Sequence, residues 1–230
     1  MASLLELAKM AEAVYGSSYR AGSVLNGWSC LQFRRASGAL SGFQGGIFSR
    51  GSEKVVAFRG TDQGMDVVAD LKLGTGMNST YFDLGEQLAS LATGGNVTVT
   101  GHSLGGAIAQ VVANRTGHLM ATFNAPGVGV IASRNINPIS PMNAVRLSGM
   151  VASVARHPIQ AARDVSNAFR VVNGINLCLQ NDAVSRIGNH YGRVLRIPGT
   201  SANPLTEHGI GTVISVLENS TFGSRSPSSF

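Results

Sequence analysis

Residues 96–114 read NVTVTGHSLGGAIAQVVAN, and the succession of residue types in that stretch decides the architecture. Asn96-Val97-Thr98-Val99-Thr100 has the β-branched alternation of a strand. Gly101-His102-Ser103-Leu104-Gly105-Gly106 comes at once after it, and from Ala107 small and aliphatic residues suit a helix that ends near Gly117. Gly-x-Ser-x-Gly between a strand and a helix is the pattern of a nucleophile elbow, in which small residues permit a sharp bend that lifts the serine oxygen clear of the sheet. A plain strand-to-helix turn would also use glycines, but the flanks on both sides fit the elbow. Ser103 is therefore the candidate nucleophile. His102 reads as a residue that packs the elbow rather than as a base, because adjacent side chains on such a turn point apart. Leu104, directly after the serine, offers its backbone N–H to a developing oxyanion.

Outward from the elbow, HLMATFNAP (118–126) reads as the next strand, which gives a parallel strand-helix-strand unit. Upstream, GFQGGIFSR (42–50) and EKVVAFRGT (53–61) are two β-rich runs joined at Gly51-Ser52, expected as an antiparallel pair at a sheet edge. The second run ends in Arg59-Gly60-Thr61-Asp62, where a fold of this kind delivers its other oxyanion-hole loop. Thr61 is the candidate second donor, with turn capping as its alternative role. Ser3 and Glu6 form a capping-box pattern ahead of an amphipathic helix. Asp83 and Glu86 are expected to cap a helix bearing Leu84, Leu88 and Leu91. FRVVNGINLCLQ (169–180) and RVLRIP (193–198) read as further strands, and a last helix is expected from near His208 through Leu217. The Ser-rich residues 220–230 are expected to be disordered. Between Gly127 and Arg170, Pro138, Pro141 and Pro158 cut the chain into short apolar pieces.

A length of 230 residues suits one α/β domain, expected over 1–219. With 29 glycines and only 13% charged residues, tight turns and close backbone approaches are expected in number. Cys30 and Cys178 make no disulfide framework and are expected to be free and buried. Glu6, Lys9 and Glu12 interrupt the segment where a Sec signal would need an apolar run, so the expectation is a protein cytoplasmic as made, exported, if at all, by a specialised route. The longest stretch lacking Asp, Glu, Lys and Arg, Gln87–Asn114, is broken by polar residues and changes periodicity, which argues against a membrane span.

The blocks AFRGTD, GHSLGGAIA, FNAPGVG and NDAVSRI, spread over roughly residues 43–215, resemble successive blocks of the class 3 lipase family. The resemblance implies an α/β-hydrolase fold with a mostly parallel central sheet flanked by helices. It implies a Ser-Asp-His triad, an oxyanion residue at Thr61, no cofactor or metal, and hydrolysis of acyl esters of glycerolipids or phospholipids. The sequence is also similar to bacterial lipase effectors, toxins delivered into neighbouring cells by secretion machinery. That likeness implies a secretion or immunity partner protein.

In such a fold the acid and the histidine follow the nucleophile in chain order, which excludes Asp62, Asp66, Asp70 and Asp83 and leaves Asp164 and Asp182. Asp182 stands just past a buried strand, at the sheet end where active sites of this class assemble, and matches the Asp of the family's D-x-V block. A turn-forming Asn-Asp pair is its alternative role. His118 and His157 precede Asp182, so His190 and His208 remain. His208 opens the last helix after another strand, as the final triad member usually does, and is preferred. His190, eight residues after Asp182, stays as the rival.

Residues 128–170 hold Arg134, Arg146, Arg156, Arg163 and Arg170 against Asp164, which concentrates +4 of the net +6 there. Arginines among aliphatics suit docking on an anionic membrane, and equally a solvated exterior over ordinary core residues. They do not suit nucleic acid, since stacking aromatics and recognised motifs are lacking. Residues 62–78 come after the oxyanion loop, where related lipases carry a lid; Gly64, Gly74 and Gly76 would let it move, though a fixed surface loop satisfies the same sequence. Two other functions compete with lipid hydrolysis: a soluble short-chain esterase or thioesterase, and a catalytically inactive binding module.

Overall fold

The computed structural model describes residues 1–37, 42–60, 79–128 and 171–230. Thr61, the lid-like 62–78 segment, Asp164 and all of the basic segment beyond Val128 lie outside them.

Among the described residues eight strands form one sheet in chain order: β1 (Val24–Leu25), β2 (Trp28–Arg35), β3 (Gln44–Arg50), β4 (Glu53–Phe58), β5 (Asn96–His102), β6 (Leu119–Phe123), β7 (Gly174–Leu179) and β8 (Arg193–Ile197). β1 to β4 pair antiparallel, and β4 to β8 pair parallel. The register sets Phe58 beside Gly101, Gly101 beside Thr122 and His102 beside Phe123. Strands β4, β5 and β6 therefore finish together, with their C-terminal ends side by side at one end of the sheet.

Helices cover both faces. α1 (Leu4–Ala13) and α5 (Ile210–Glu218) lie on one, and α2 (Ser79–Ser90) and α3 (Leu104–Thr116) on the other. The two-residue side-chain period divides β4 between them: Val55 and Ala57 join the cluster with Leu4, Leu7, Val213 and Leu217, while Val56 and Phe58 join Leu88, Ile108 and Val112. A sheet buried on both sides needs apolar residues at successive positions, which is why β4 reads Val-Val-Ala-Phe without alternation. No helix among the described residues is long and apolar enough to cross a membrane.

Several expectations change in detail. The β3–β4 hairpin is antiparallel but interior, because β1 and β2 extend the sheet beyond it. α2 is already helical at Ser79, so Asp83 and Glu86 sit within it rather than at its cap; both pair with Arg115 of α3. Leu91 lies past the helix and is exposed. The last helix is broken at Gly209, so that His208 ends a short helix α4 (Pro204–His208) instead of opening α5. Asn203 caps α4, accepting the Leu205 N–H, with Pro204 at the first helical position.

Residues 220–230, expected to be disordered, form part of the packed structure. Phe222 and Phe230 stack and rest on the α1–α5 core, and Pro227–Ser229 make a 3-10 turn. The carbonyls of Arg225 and Gly223 accept the N–H groups of Leu4 and Leu5 at 2.8 and 3.1 Å. Ser3 Oγ accepts the Glu6 N–H, completing the capping box. The start of α1 thus finds partners for its first amides, the donors a helix cannot satisfy internally. Serine content suggests solvation, but the aromatic and backbone contacts outweigh it. Both cysteines are free and buried.

Candidate active site

The turn from β5 into α3 places Ser103 at φ 56°, ψ −127°, a left-handed conformation that is strained for a residue with a side chain. The glycines around it are required by contact. A Cβ on Gly101 would lie 2.4 Å from the carbonyl carbon and oxygen of Gly105, and one on Gly105 would lie 2.1 Å from the carbonyl oxygen of Phe58. The helix begins pressed against the strands, and only hydrogen fits between. Leu104 is its first residue, so its amide has no partner within the helix and is open to an external acceptor.

Ser103, His208 and Asp182 come together at this end of the sheet although they are far apart in the chain. His208 Nε2 lies 2.9 Å from Ser103 Oγ, and His208 Nδ1 lies 2.8 Å from Asp182 Oδ1. All three are buried. The carboxylate only accepts, so Nδ1 of neutral His208 carries the proton and Nε2 keeps a lone pair for the serine hydroxyl. Asp182 is held in turn by the backbone: Oδ1 accepts the Val184 N–H and Oδ2 the Ser185 N–H, at 3.2 and 2.8 Å. Burial by itself would push the Asp182 carboxyl up, but the hydrogen bonds from His208 and Ser185 and the His208 charge hold it below its ordinary value. The rival, His190, is directed elsewhere, its Nε2 bonding the Ala125 carbonyl at 2.8 Å. Among the described residues no group of three or more His, Cys, Asp or Glu is arranged to hold a metal ion.

The model of a phospholipase-like family, the Tle-like phospholipase domain, matches residues 6–202. The chain belongs to the Tle-like phospholipase family. It is similar to an extracellular phospholipase A1 of Serratia liquefaciens, 28% identical over 191 residues that cover 78% of this chain and 57% of that protein. The chain therefore spans a little over half the length of this relative. In fold it is similar to the Lip2 lipase of Yarrowia lipolytica (TM-score 0.51, 18% identity, 84% of this chain and 77% of that one). A triacylglycerol lipase of Penicillium expansum compares likewise (TM-score 0.51, 13% identity, 88% and 84%). The fold is that of the α/β-hydrolases.

Around the serine, this Tle-like phospholipase domain uses residues that the sequence did not single out. Asn124, at φ 45°, directs its side chain between β7 and α4: Oδ1 accepts the Leu179 N–H, and Nδ2 donates to the carbonyls of Glu207 and His208 at 2.7 and 3.3 Å. The Glu207 carboxylate accepts the N–H groups of Thr200 and Ser201, fastening the loop after β8 to the helix that ends at His208. Both are wholly buried. An Asn just past a strand reads as an ordinary turn residue and a Glu in a short helix as solvent-facing, so neither carries a signal. Tyr15 reads as one more apolar position of α1 but lies past its end, with its hydroxyl 2.9 Å from His102 Nδ1.

Proposed function

We propose that this chain is a serine hydrolase that cleaves carboxylic esters of phospholipids or acylglycerols through an acyl-enzyme. The observation that carries the reading is the unbroken hydrogen-bonded line from Ser103 Oγ through the His208 ring to Asp182. Membership of a phospholipase-like family supports lipid as the substrate class.

In the proposed mechanism His208 Nε2 takes the Ser103 proton as Oγ attacks the ester carbonyl. Asp182 steadies the imidazolium without itself taking the proton. The Leu104 amide, together with Thr61, stabilises the negative oxygen of the tetrahedral intermediate. His208 then protonates the departing alcohol, and a water activated by the same nitrogen releases the fatty acid. Incubating the protein with mixed phospholipids and triacylglycerols and identifying the products tests reaction and substrate together. Fatty acid and lysolipid are expected, with none formed by Ser103→Ala at equal protein concentration. Turnover of short soluble esters alone would overturn the lipid assignment.

The finer reading extends to partners and location. Arg134, Arg146, Arg156, Arg163 and Arg170 are proposed to draw residues 128–170 onto anionic lipid. Replacing Arg146, Arg156 and Arg163 by Gln should weaken binding to phosphatidylglycerol vesicles about a hundredfold, at about 1 kcal/mol per arginine. Hydrolysis of a soluble ester should be spared; equal loss on both substrates would mean a folding defect instead. Export by a specialised secretion route, with a secretion or immunity protein as partner, belongs to the same reading. Its support is the likeness to bacterial lipase effectors.

A further inference from the structure

His102 is 5% exposed, and both of its ring nitrogens are engaged. Nε2 lies 2.6 Å from the backbone carbonyl oxygen of His208, and Nδ1 lies 2.9 Å from the Tyr15 hydroxyl. A carbonyl can only accept, so Nε2 bears the hydrogen; in the neutral ring Nδ1 is then an acceptor, and the Tyr15 hydroxyl donates to it. Tyr15 Oη in turn accepts the Gly60 N–H at 3.1 Å. The Tyr15 hydroxyl also lies 3.5 Å from the His102 backbone carbonyl. Burial, and then the neighbouring His208 charge, hold the His102 imidazole neutral by depressing its pKa to about 3.

Two further contacts sharpen the arrangement. A Cβ on Gly60 would lie 2.3 Å from Tyr15 Oη and 3.1 Å from Ser103 Cβ, so the strand end leading to Thr61 is pressed directly against the elbow. Asn124 Nδ2 gives the His208 carbonyl a second donor. The backbone that carries the proposed base and the backbone at Gly60, which precedes the proposed second oxyanion donor, are thereby tied to one line of polar atoms, buried at His102 and partly buried at Tyr15.

We propose that Tyr15 and His102 are positioning residues, forming a neutral strut from Gly60 N–H through the Tyr15 hydroxyl and the His102 ring to the His208 carbonyl that sets the base and the backbone at Gly60 relative to Ser103. The inference rests on the reading of Ser103, His208 and Asp182 given above. The strut touches no reacting atom and moves no proton. Its contribution is placement, and a displacement of about 1 Å can cost about a hundredfold in rate.

The test compares Tyr15→Phe, His102→Leu, His102→Gln and Ser103→Ala as full chains. It measures kcat and KM on p-nitrophenyl butyrate, the rate of fluorophosphonate labelling, and thermal midpoints. Tyr15→Phe should lower kcat about tenfold and His102→Leu about a hundredfold, with KM within about twofold and labelling slowed in step. His102→Gln, whose amide retains a donor for the His208 carbonyl, should recover most of the His102→Leu loss, a rescue that stability alone would not produce. Unchanged kcat per labelled site in both Tyr15→Phe and His102→Leu, beside an inactive Ser103→Ala, overturns the strut alone. Should His102→Leu not fold, Tyr15→Phe decides by the same criterion. Undiminished hydrolysis by Ser103→Ala overturns the underlying site and the strut with it.

Discussion

At the scale of single residues, the carboxyl of Asp182 and the ring of His102 carry the clearest consequences. On the proposed mechanism Asp182→Asn leaves the imidazole free to adopt the wrong tautomer, which should cost about four orders of magnitude in kcat while the protein stays folded. Steady-state kinetics beside circular dichroism check both halves. The same two groups contribute to the acid limb of stability. His102 titrates at about 3 in the folded protein against an ordinary 6.5, so its contribution is complete above pH 6.5 and is lost as pH falls toward 3. Asp182 is also depressed, so its contribution is present above the ordinary 3.8 and goes as pH falls through the folded value. Among the described residues, Tyr15, His208 and Asp182 are titratable groups that face His102. His102→Gln should therefore lose less stability than the wild type between about pH 7 and pH 4, the difference reaching at most a few kcal/mol. Urea midpoints at the two pH values would show it, and parallel curves would contradict it.

At the scale of elements, the contacts around α3 are the most sensitive. Gly105→Ala would drive a methyl group into the Phe58 carbonyl at the end of β4. Helix and strand would have to separate, with an expected loss of about 3 kcal/mol or more in denaturant unfolding. Arg115 is 3% exposed at its side chain and joins α3 to α2 through Asp83 and Glu86 at 3.0 and 3.3 Å. Because both acids remain partly solvated, Arg115→Met should cost only about 1–2 kcal/mol, less than a wholly buried pair. Legibility in the sequence divides along the same line. The strand-turn-helix at 96–116, the capping box at Ser3 and Glu6, and the buried run at Gly174–Leu179 each declare themselves through local periodicity or side-chain chemistry. Strand β2 does not, because Arg34 and Arg35 stand at its end and its apolar positions are irregular. The start of α2 and the break at Gly209 escape a local reading because capping residues and glycines are ambiguous without the tertiary contacts that select among them.

For the whole molecule, the residues of the site come from segments that no local rule connects. Ser103 and Asp182 were legible because each stands directly after a recognisable strand. His208 is preferred to His190 in the sequence only through chain order and family pattern, and it is the candidate that lies against Ser103. Tyr15 and Asn124 carry no local signal because their hydrogen-bond partners lie about 50 to 90 positions away. The closure of 220–230 on the first helix is of the same kind. Removing residues 221–230 would strand the amides of Leu4 and Leu5 and strip Phe222 and Phe230 from the core. The expected cost is about 2–4 kcal/mol, seen as a lower thermal midpoint and faster proteolysis of the 1–37 region; an unchanged midpoint would show the segment to be dispensable.

That closure also orders events in time. Leu5 is synthesised 218 residues before Gly223, which at about 5–20 residues per second leaves its amide waiting for roughly 10–45 s. The His208 ring emerges 105 residues after the serine it will face. A growing chain thus holds an elbow long before it holds a base, and its first helix is finished only by residues more than 200 positions further on. On the proposed chemistry, the ribosome carries an inert precursor until the His208 segment has emerged, and only then can the capacity to attack the lipids of the cell that makes it arise.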